Sequence, residues 1–295
     1  TQGVSSAASD VYKRQLNNTQ VSIIIPTYNE SENIIRILDS IGENLPSNMP
    51  TEAIVVDDNS PDGTTGLVED YIKKIKDSVS YSVKIIRRKT KSGLSSAVIN
   101  GIEKSNGKTV VVMDSDFSHP PNMIPKMIHE LTNSEYDIVI ASRYLKDGGI
   151  EGWTRKRKMI SKAGTKIAKT GLNISESDPM SGFFAFKREI IKGIKFDAIG
   201  YKILLEMLVK TKGAKIKEIP YTFVNRQVGS SKLGSSTIID YLKAVWKLYR
   251  YGKIVEQKES NSSVRFVSKA ARFYTVGVSG FFVNYLISLS SHNTF

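Results

Sequence analysis

Asp114 and Asp116 stand one residue apart at the end of an apolar run, in VVVMDSDFSHPPNM (residues 110–123). Alternate side chains of a strand point the same way, so two carboxylates at this spacing converge on one cation. Mg2+ and Mn2+ are hard ions that take a few carboxylates and complete their shell with phosphate oxygens and water. An ion held there would neutralise a departing diphosphate as a Lewis acid. The same pair also suits a solvated turn or a cap for the segment after Pro120, so its meaning depends on its neighbours.

A second acidic pair, Asp57 and Asp58, opens DDNSPDG. It can accept hydrogen bonds from a ribose or base, or close an Asx turn with no ligand. From Arg143 to Lys169 nine basic residues face two acidic ones. Helical spacing puts Arg157 and Ser161 one turn apart on one face of that span, where guanidinium and hydroxyl can hold a phosphate; a solvated basic face is the plain alternative. Arg226 and Lys232 bracket a Gly/Ser stretch in NRQVGSSKLG, the make-up of a flap that closes over an anion or of an ordinary polar loop. No G-x-G-x-x-G follows the first apolar run and no G-x-x-x-x-G-K-[ST] occurs, which removes the main support for dinucleotide and ATPase readings.

The elements that must position these groups are legible in the apolar pattern. VSIII (21–25), EAIVV (52–56), VKII (83–86), TVVVM (109–113) and DIVIA (137–141) alternate with segments of helix length and spacing. Continuous Val/Ile runs between helices describe a parallel sheet covered on both faces, hence a doubly wound α/β domain. Polar residues follow four of the five runs: Pro26, Tyr28, Asn29 and Glu30; Asp57, Asp58 and Asn59; Asp114 and Asp116; Arg143. Open α/β sheets bind ligands at the carboxyl ends of their strands, so these groups are expected to line one crevice.

The chain has 295 residues, no cysteine, three histidines and a formal charge of +13. It can bury a full core and has no disulfide framework or thiolate metal site, and its surface attracts anions. Residues 1–20 read as a tail outside the domain. In residues 236–253 Ile238, Ile239, Leu242, Val245, Trp246 and Tyr249 form one helical side, with Lys243, Lys247 and Arg250 nearer the other, a pattern that suits either a membrane surface or ordinary packing. Phe273 to Leu289 is a run of seventeen uncharged residues, just long enough for a membrane span. Lys253, Arg265, Lys269 and Arg272 precede it, so the positive-inside rule puts the main domain on the cytoplasmic side of a cell membrane.

Taken together, VSIIIPTYNESENI, VVDDNSPDGT, SGLSSAVINGI, VVMDSDFSHPPNMIPKM, ASRY, RKMIS, DPMSGFFAF, GYKILLE and SSKLG resemble the dolichyl-phosphate mannosyltransferases of the inverting glycosyltransferase family 2, in unbroken order from about Val21 to Lys253. The last apolar segment resembles the start of a GtrA-like membrane domain, which has four spans, of which this sequence holds one at most. The resemblance implies a GT-A (Rossmann-like) α/β domain at 21–235 with a mainly parallel sheet, an amphipathic interface helix and linker at 236–263, and a transmembrane segment at 264–295. It implies that Pro26, Tyr28, Glu30, Val56 and Asp58 hold the nucleoside, Asp114 and Asp116 the Mg2+ or Mn2+ with Ser115 and Ser118 alongside, and Arg226 and Lys232 the diphosphate. Arg143, Arg157 and Ser161 would seat the acceptor phosphate, with Asp116 and Arg143 closest to the chemistry. Many relatives carry glutamine where this chain has Ser118. The implied reaction is inverting transfer of mannose from GDP-mannose to polyprenyl phosphate beside a lipid bilayer.

Four alternatives are weighed against it. A UDP donor, with glucose passing to undecaprenyl phosphate, differs only in turnover of the two nucleotide sugars. A non-catalytic membrane scaffold conflicts with the complete acidic set. Nucleic-acid binding fits the charge but lacks a reader motif, so no nucleic-acid partner is expected. A processive polysaccharide synthase is disfavoured because no Q-x-x-R-W motif is present.

Overall fold

The computed structural model describes residues 19–75, 80–197, 202–225 and 235–259. Its centre is a seven-stranded sheet. Strands β1 (Val21–Thr27), β2 (Thr51–Asp57), β3 (Tyr81–Arg87), β4 (Thr109–Val112) and β5 (Ile138–Ser142) fall on the five apolar runs, with ends shifted by at most two residues. Between them run helices α1 (Ile34–Asn44), α2 (Thr64–Lys74), α3 (Leu94–Lys104) and α4 (Ile124–Thr132). The remaining elements are β6 (Gly149–Glu151), α5 (Arg155–Leu172), β7 (Phe184–Lys187), α6 (Ile203–Lys210), β8 (Ile216–Pro220), β9 (Thr222–Val224) and α7 (Ser235–Glu259).

The strand order is β3-β2-β1-β4-β7-β5-β8, all parallel except β7, which is antiparallel to both neighbours. Alternation explains why the runs are apolar throughout. Ile23, Ile25, Val55 and Val111 pack with α1, α2 and α4, while Ile24, Ile54, Val56 and Val112 pack with α3 and α6 on the other face. The helix α3 comes close because it carries glycine: a Cβ at Gly101 would stand 2.5 Å from Ile24 and 3.0 Å from Val56.

The antiparallel β7 is the main departure from the sequence expectation. Its preceding loop is tied to the carboxyl ends of the parallel strands, with Asp178 bound to Arg143 and the Ser181 hydroxyl donating to the Ala141 carbonyl. A chain entering a sheet from that end can only run against its neighbours. A second two-stranded ribbon, β6 with β9, lies beyond the ends of β5 and β8.

A third core joins α5, α6 and α7 through Ala168, Met180, Leu205, Val209, Tyr241, Ala244, Val245 and Leu248. This corrects the face assigned to the last helix. Tyr241, Ala244, Val245 and Leu248 are buried, whereas Leu242 and Trp246 stay exposed beside Lys243, Lys247 and Arg250. Ala244 and the hydrogen bond from the Tyr241 hydroxyl to the Gly164 carbonyl, 2.7 Å long, set that rotation. Among the described residues no helix is long and apolar enough to cross a membrane. The uncharged run 273–289 and the GtrA-like segment lie outside the described residues.

Candidate active site

The sheet order reverses between β1 and β4, and both strands end there in polar residues. Met113 donates its N–H to the Ile24 carbonyl, the last rung between them. Alternation puts the missing donor of Pro26 on the same side, where β4 has already turned away, so proline breaks no ladder bond. The crevice opens at this topological switch point, as open α/β sheets require.

The acidic turn is held from within. Phe117 adopts the left-handed conformation (φ 58°), an unusual state for a bulky residue, and the guanidinium of Arg36 lies 5.1 Å from its ring centre. The bend lets Asp116 Oδ1 accept from the Ser118 N–H (3.1 Å) and hydroxyl (2.5 Å). Ser115 and Ser118 are buried. Asp114 differs: its side chain is 35% exposed, and its nearest charged or titratable partner is Nε2 of His119 at 3.8 Å. Burial pushes the His119 imidazole below its ordinary value, although Asp114 and Asp116 pull it the other way.

The nucleoside side is more occupied than the sequence suggests. Asp58 accepts from Arg88 Nη1 (2.7 Å) and from the N–H groups of Ser92 and Gly93, which pins the loop after β3. Arg88 shows that the third strand contributes to the crevice as well. Asp57 accepts from Thr27, Ser60 and Thr65, the turn-forming option for that pair. The loop after β1 is stitched to the same turn, Asn29 N–H to the Ser60 hydroxyl and Glu30 N–H to the Thr64 hydroxyl. Tyr28 is exposed, with Lys91 Nζ 3.4 Å above its ring. The Val56 side chain is wholly buried against α3, so what this residue offers the crevice is its main chain.

On the opposite wall Arg143 forms a two-pronged pair with Asp178, Nε to Oδ2 and Nη2 to Oδ1, each 2.7 Å. Both residues are buried, and Asp178 N–H in turn donates to Glu218. Burial disfavours the Arg143 charge, but the Asp178 carboxylate outweighs it and holds the guanidinium above its ordinary value. Arg157 lies 4.0 Å over the Trp153 ring and bonds Asn225, while the Ser161 hydroxyl accepts from Tyr144 at 2.8 Å. Arg143 and Tyr144 border a cavity of about 620 Å3 that also takes in Lys158, Lys162, Lys166 and Lys169. A larger cavity, about 1150 Å3, lies at the opposite end of the sheet beside Arg188 and has no member of the acidic set in its wall.

Lys202, at the start of α6, was not singled out by the sequence. Burial and then Arg143 push its amine down to about 8, with Asp114 and Asp178 opposing, which puts it in the field of both walls. Its only sequence signal is its place in GYKILLE. Arg226 and Lys232, the expected flap, lie outside the described residues.

Mg2+ fits the acidic turn by its donors. Two hard carboxylates on one turn match an ion that uses one or two carboxylates and draws its other ligands from phosphate and water. Among the described residues there is no cluster of three or more metal-ligating side chains that would suit a closed all-protein site.

A mostly parallel sheet with an acidic turn at its switch point and basic side chains across the crevice defines a doubly wound α/β domain with its charged groups gathered at the carboxyl ends of the strands. The family comparison gives it a particular identity. Residues 22–194 match the model of glycosyl transferase family 2, and the chain belongs to that family and is a glycosyltransferase. It is 40% identical over 267 residues to a dolichol-phosphate mannosyltransferase of Pyrococcus furiosus, covering 90% of this chain and 70% of that one. It is 35% identical over 241 residues to the dolichol-phosphate mannosyltransferase of Saccharomyces cerevisiae, covering 78% and 87%. Among solved structures, mannosyl-3-phosphoglycerate synthase from Rubrobacter xylanophilus superposes with a TM-score of 0.57 at 20% identity, over 86% of this chain and 79% of that one. Glucosyl-3-phosphoglycerate synthase from Mycobacterium tuberculosis with bound UDP gives 0.54 at 21% identity, over 79% and 82%. The fold is GT-A, Rossmann-like, with a mostly parallel sheet.

Proposed function

We propose that this enzyme transfers mannose from GDP-mannose to a polyprenyl phosphate of the dolichyl type, with inversion at the anomeric carbon, on the cytoplasmic face of a membrane. The observation that carries the reading is the opposition of two walls: the Asp114–Asp116 turn on one side, and on the other Arg143, Arg157 and the lysine-lined cavity. A reaction between a nucleoside diphosphate sugar and a lipid phosphate must gather two mutually repelling anions. The crevice has one wall suited to each.

Asp114 and Asp116 would hold Mg2+ or Mn2+, which when bound supplies charge neutralisation for the departing diphosphate. Arg143, fixed by Asp178, presents a guanidinium whose orientation is set before any ligand arrives. Arg157, stacked on Trp153, supplies a second planar cation suited to a phosphate. A phosphate monoester is anionic near pH 7, so its attack requires positioning and not a general base. That fits a site whose one histidine is buried. Displacement on the face opposite the leaving group inverts the sugar carbon in a single step.

The membrane part of the reading rests on the exposed Leu242 and Trp246 among the lysines of α7, the basic run of α5, and the uncharged segment 273–289. Basic residues near anionic lipid contribute roughly 1 kcal/mol each.

The decisive experiment offers GDP-mannose and UDP-glucose side by side to the protein with polyprenyl phosphate and Mg2+ or Mn2+, and analyses the lipid product. Mannosyl phosphate lipid from GDP-mannose alone is expected. Preference for UDP-glucose would move the donor assignment, and absence of product from both would overturn the reading.

A further inference from the structure

Among the described residues, one side chain touches both the main chain and the carboxylate of Asp114. Nδ1 of His119 accepts the Asp114 N–H at 2.8 Å, so this nitrogen carries no proton in the neutral ring. The ring proton is therefore on Nε2, and Nε2 faces Asp114 Oδ2 at 3.8 Å. That separation exceeds a hydrogen bond, but a small rotation of the partly exposed carboxylate closes it.

The ring itself has little freedom. It is 2% exposed, stacks on Phe183 at 5.1 Å and 14°, and meets the edges of Tyr221 and Phe223, each at 6.1 Å. Two prolines follow it, and the residue before a proline is confined to extended backbone. On its open side stands Gly182: a Cβ there would be 3.0 Å from His119 Cε1 and 3.6 Å from Asp114 Oδ2. SGFF thus leaves the space in which ring and carboxylate meet.

We propose that His119 is the positioning residue of the cation site: its Nε2–H holds Oδ2 of Asp114 and so leaves Oδ1 for the ion. The inference rests on the metal reading above and deepens it. Groups behind a metal ligand fix its rotamer, and their loss typically weakens binding about 10–100-fold. Asn in place of His119 can still accept the Asp114 N–H but cannot reach the carboxylate. Gln can carry an N–H donor to about the place of Nε2.

The first test reads the tautomer of the ring directly. The chain has three histidines, so 15N signals of the ion-free protein are few enough to assign, with loss of a signal in H119N identifying His119. An unprotonated Nδ1 and a protonated Nε2 are expected, and the opposite tautomer would overturn the proposal. The second test titrates Mn2+ by electron paramagnetic resonance in the presence of GDP. H119N is expected to weaken Mn2+ about tenfold or more, with H119Q recovering most of the loss and G182A, which crowds the ring, weakening it as well. Thermal melts confirm that each variant is folded. Equal Mn2+ affinity in wild type and H119N, or no recovery in folded H119Q, would overturn the role of His119. A wild type that binds no Mn2+ would instead overturn the metal reading on which the inference stands.

Discussion

At the amino end of the sheet, Glu52 accepts hydrogen bonds from Ser22 (2.6 Å), the Asn106 N–H (2.6 Å) and Lys84 (2.5 Å), and is fully buried. At the carboxyl end, Asp114 keeps a third of its side chain in solvent, and its carboxylate faces a buried imidazole at 3.8 Å. Both carboxylates sit at strand ends of one sheet. The first is matched inside the protein by a cation and two further donors, which makes it a strut. The second is oriented without being matched, which suits it to a charge from outside. Asp58 and Asp178 resemble Glu52 in this respect, since each faces an arginine. Acidic residues at a strand tip are therefore not equal evidence of chemistry: the partner each one has decides.

The largest effect should separate the two ends outright. Asp114→Ala is expected to lower turnover about a hundredfold or more while its urea unfolding midpoint stays close to wild type, because this carboxylate is part-exposed; normal turnover would show that the acidic turn is a strut too. Next, Asp178→Asn leaves the buried Arg143 without its countercharge and should cost about 3–5 kcal/mol in urea unfolding. A loss of turnover without that destabilisation would mean Arg143 does not depend on Asp178 for its place.

Glu52→Gln should cost less, about 1–3 kcal/mol, with KM and kcat unchanged. Burial disfavours the Glu52 charge, but Lys84, Ser22 and Asn106 outweigh it and lower its pKa below the usual 4.5. A carboxyl that binds its proton less readily in the fold stabilises fully above its unfolded value, and that contribution is lost as pH falls through the lower folded value. Melts from pH 6 to 3 should therefore decline less steeply in Glu52→Gln than in wild type, and identical slopes would remove Glu52 from the acid response. The smallest effect on folding is expected for Trp246→Ala, within about 0.5 kcal/mol, because the ring is 49% exposed. Retention on anionic vesicles should nevertheless drop, and unchanged retention would leave the membrane contact to other residues.

Much of the fold was legible because parallel strands covered on both faces must be apolar at every position, as Ile23 to Ile25 and Val110 to Val112 are. Asp114 and Asp116 were legible because polar residues interrupt such a run only where it leaves the core. Other features were hidden. β7 reads as one more short apolar run, and nothing local sets its direction. Arg143 and Asp178 are 35 residues apart, so the buried pairing that orients this guanidinium has no local signal. In α7 the apolar residues cover more than one face, and only contact with α5 and α6 selected Tyr241, Ala244, Val245 and Leu248.

The sequence by itself determined which segments enter the sheet, since burial of both faces is written residue by residue in the strands. It determined too that hard oxygen donors stand at the end of β4. The tertiary structure alone decided which of the charged groups are matched internally, because a charge is neutralised by whatever the fold brings within a few ångströms, however distant in the chain. It also brought Gly182, Phe183, Tyr221 and Phe223 around His119, and so set the direction in which that ring can act.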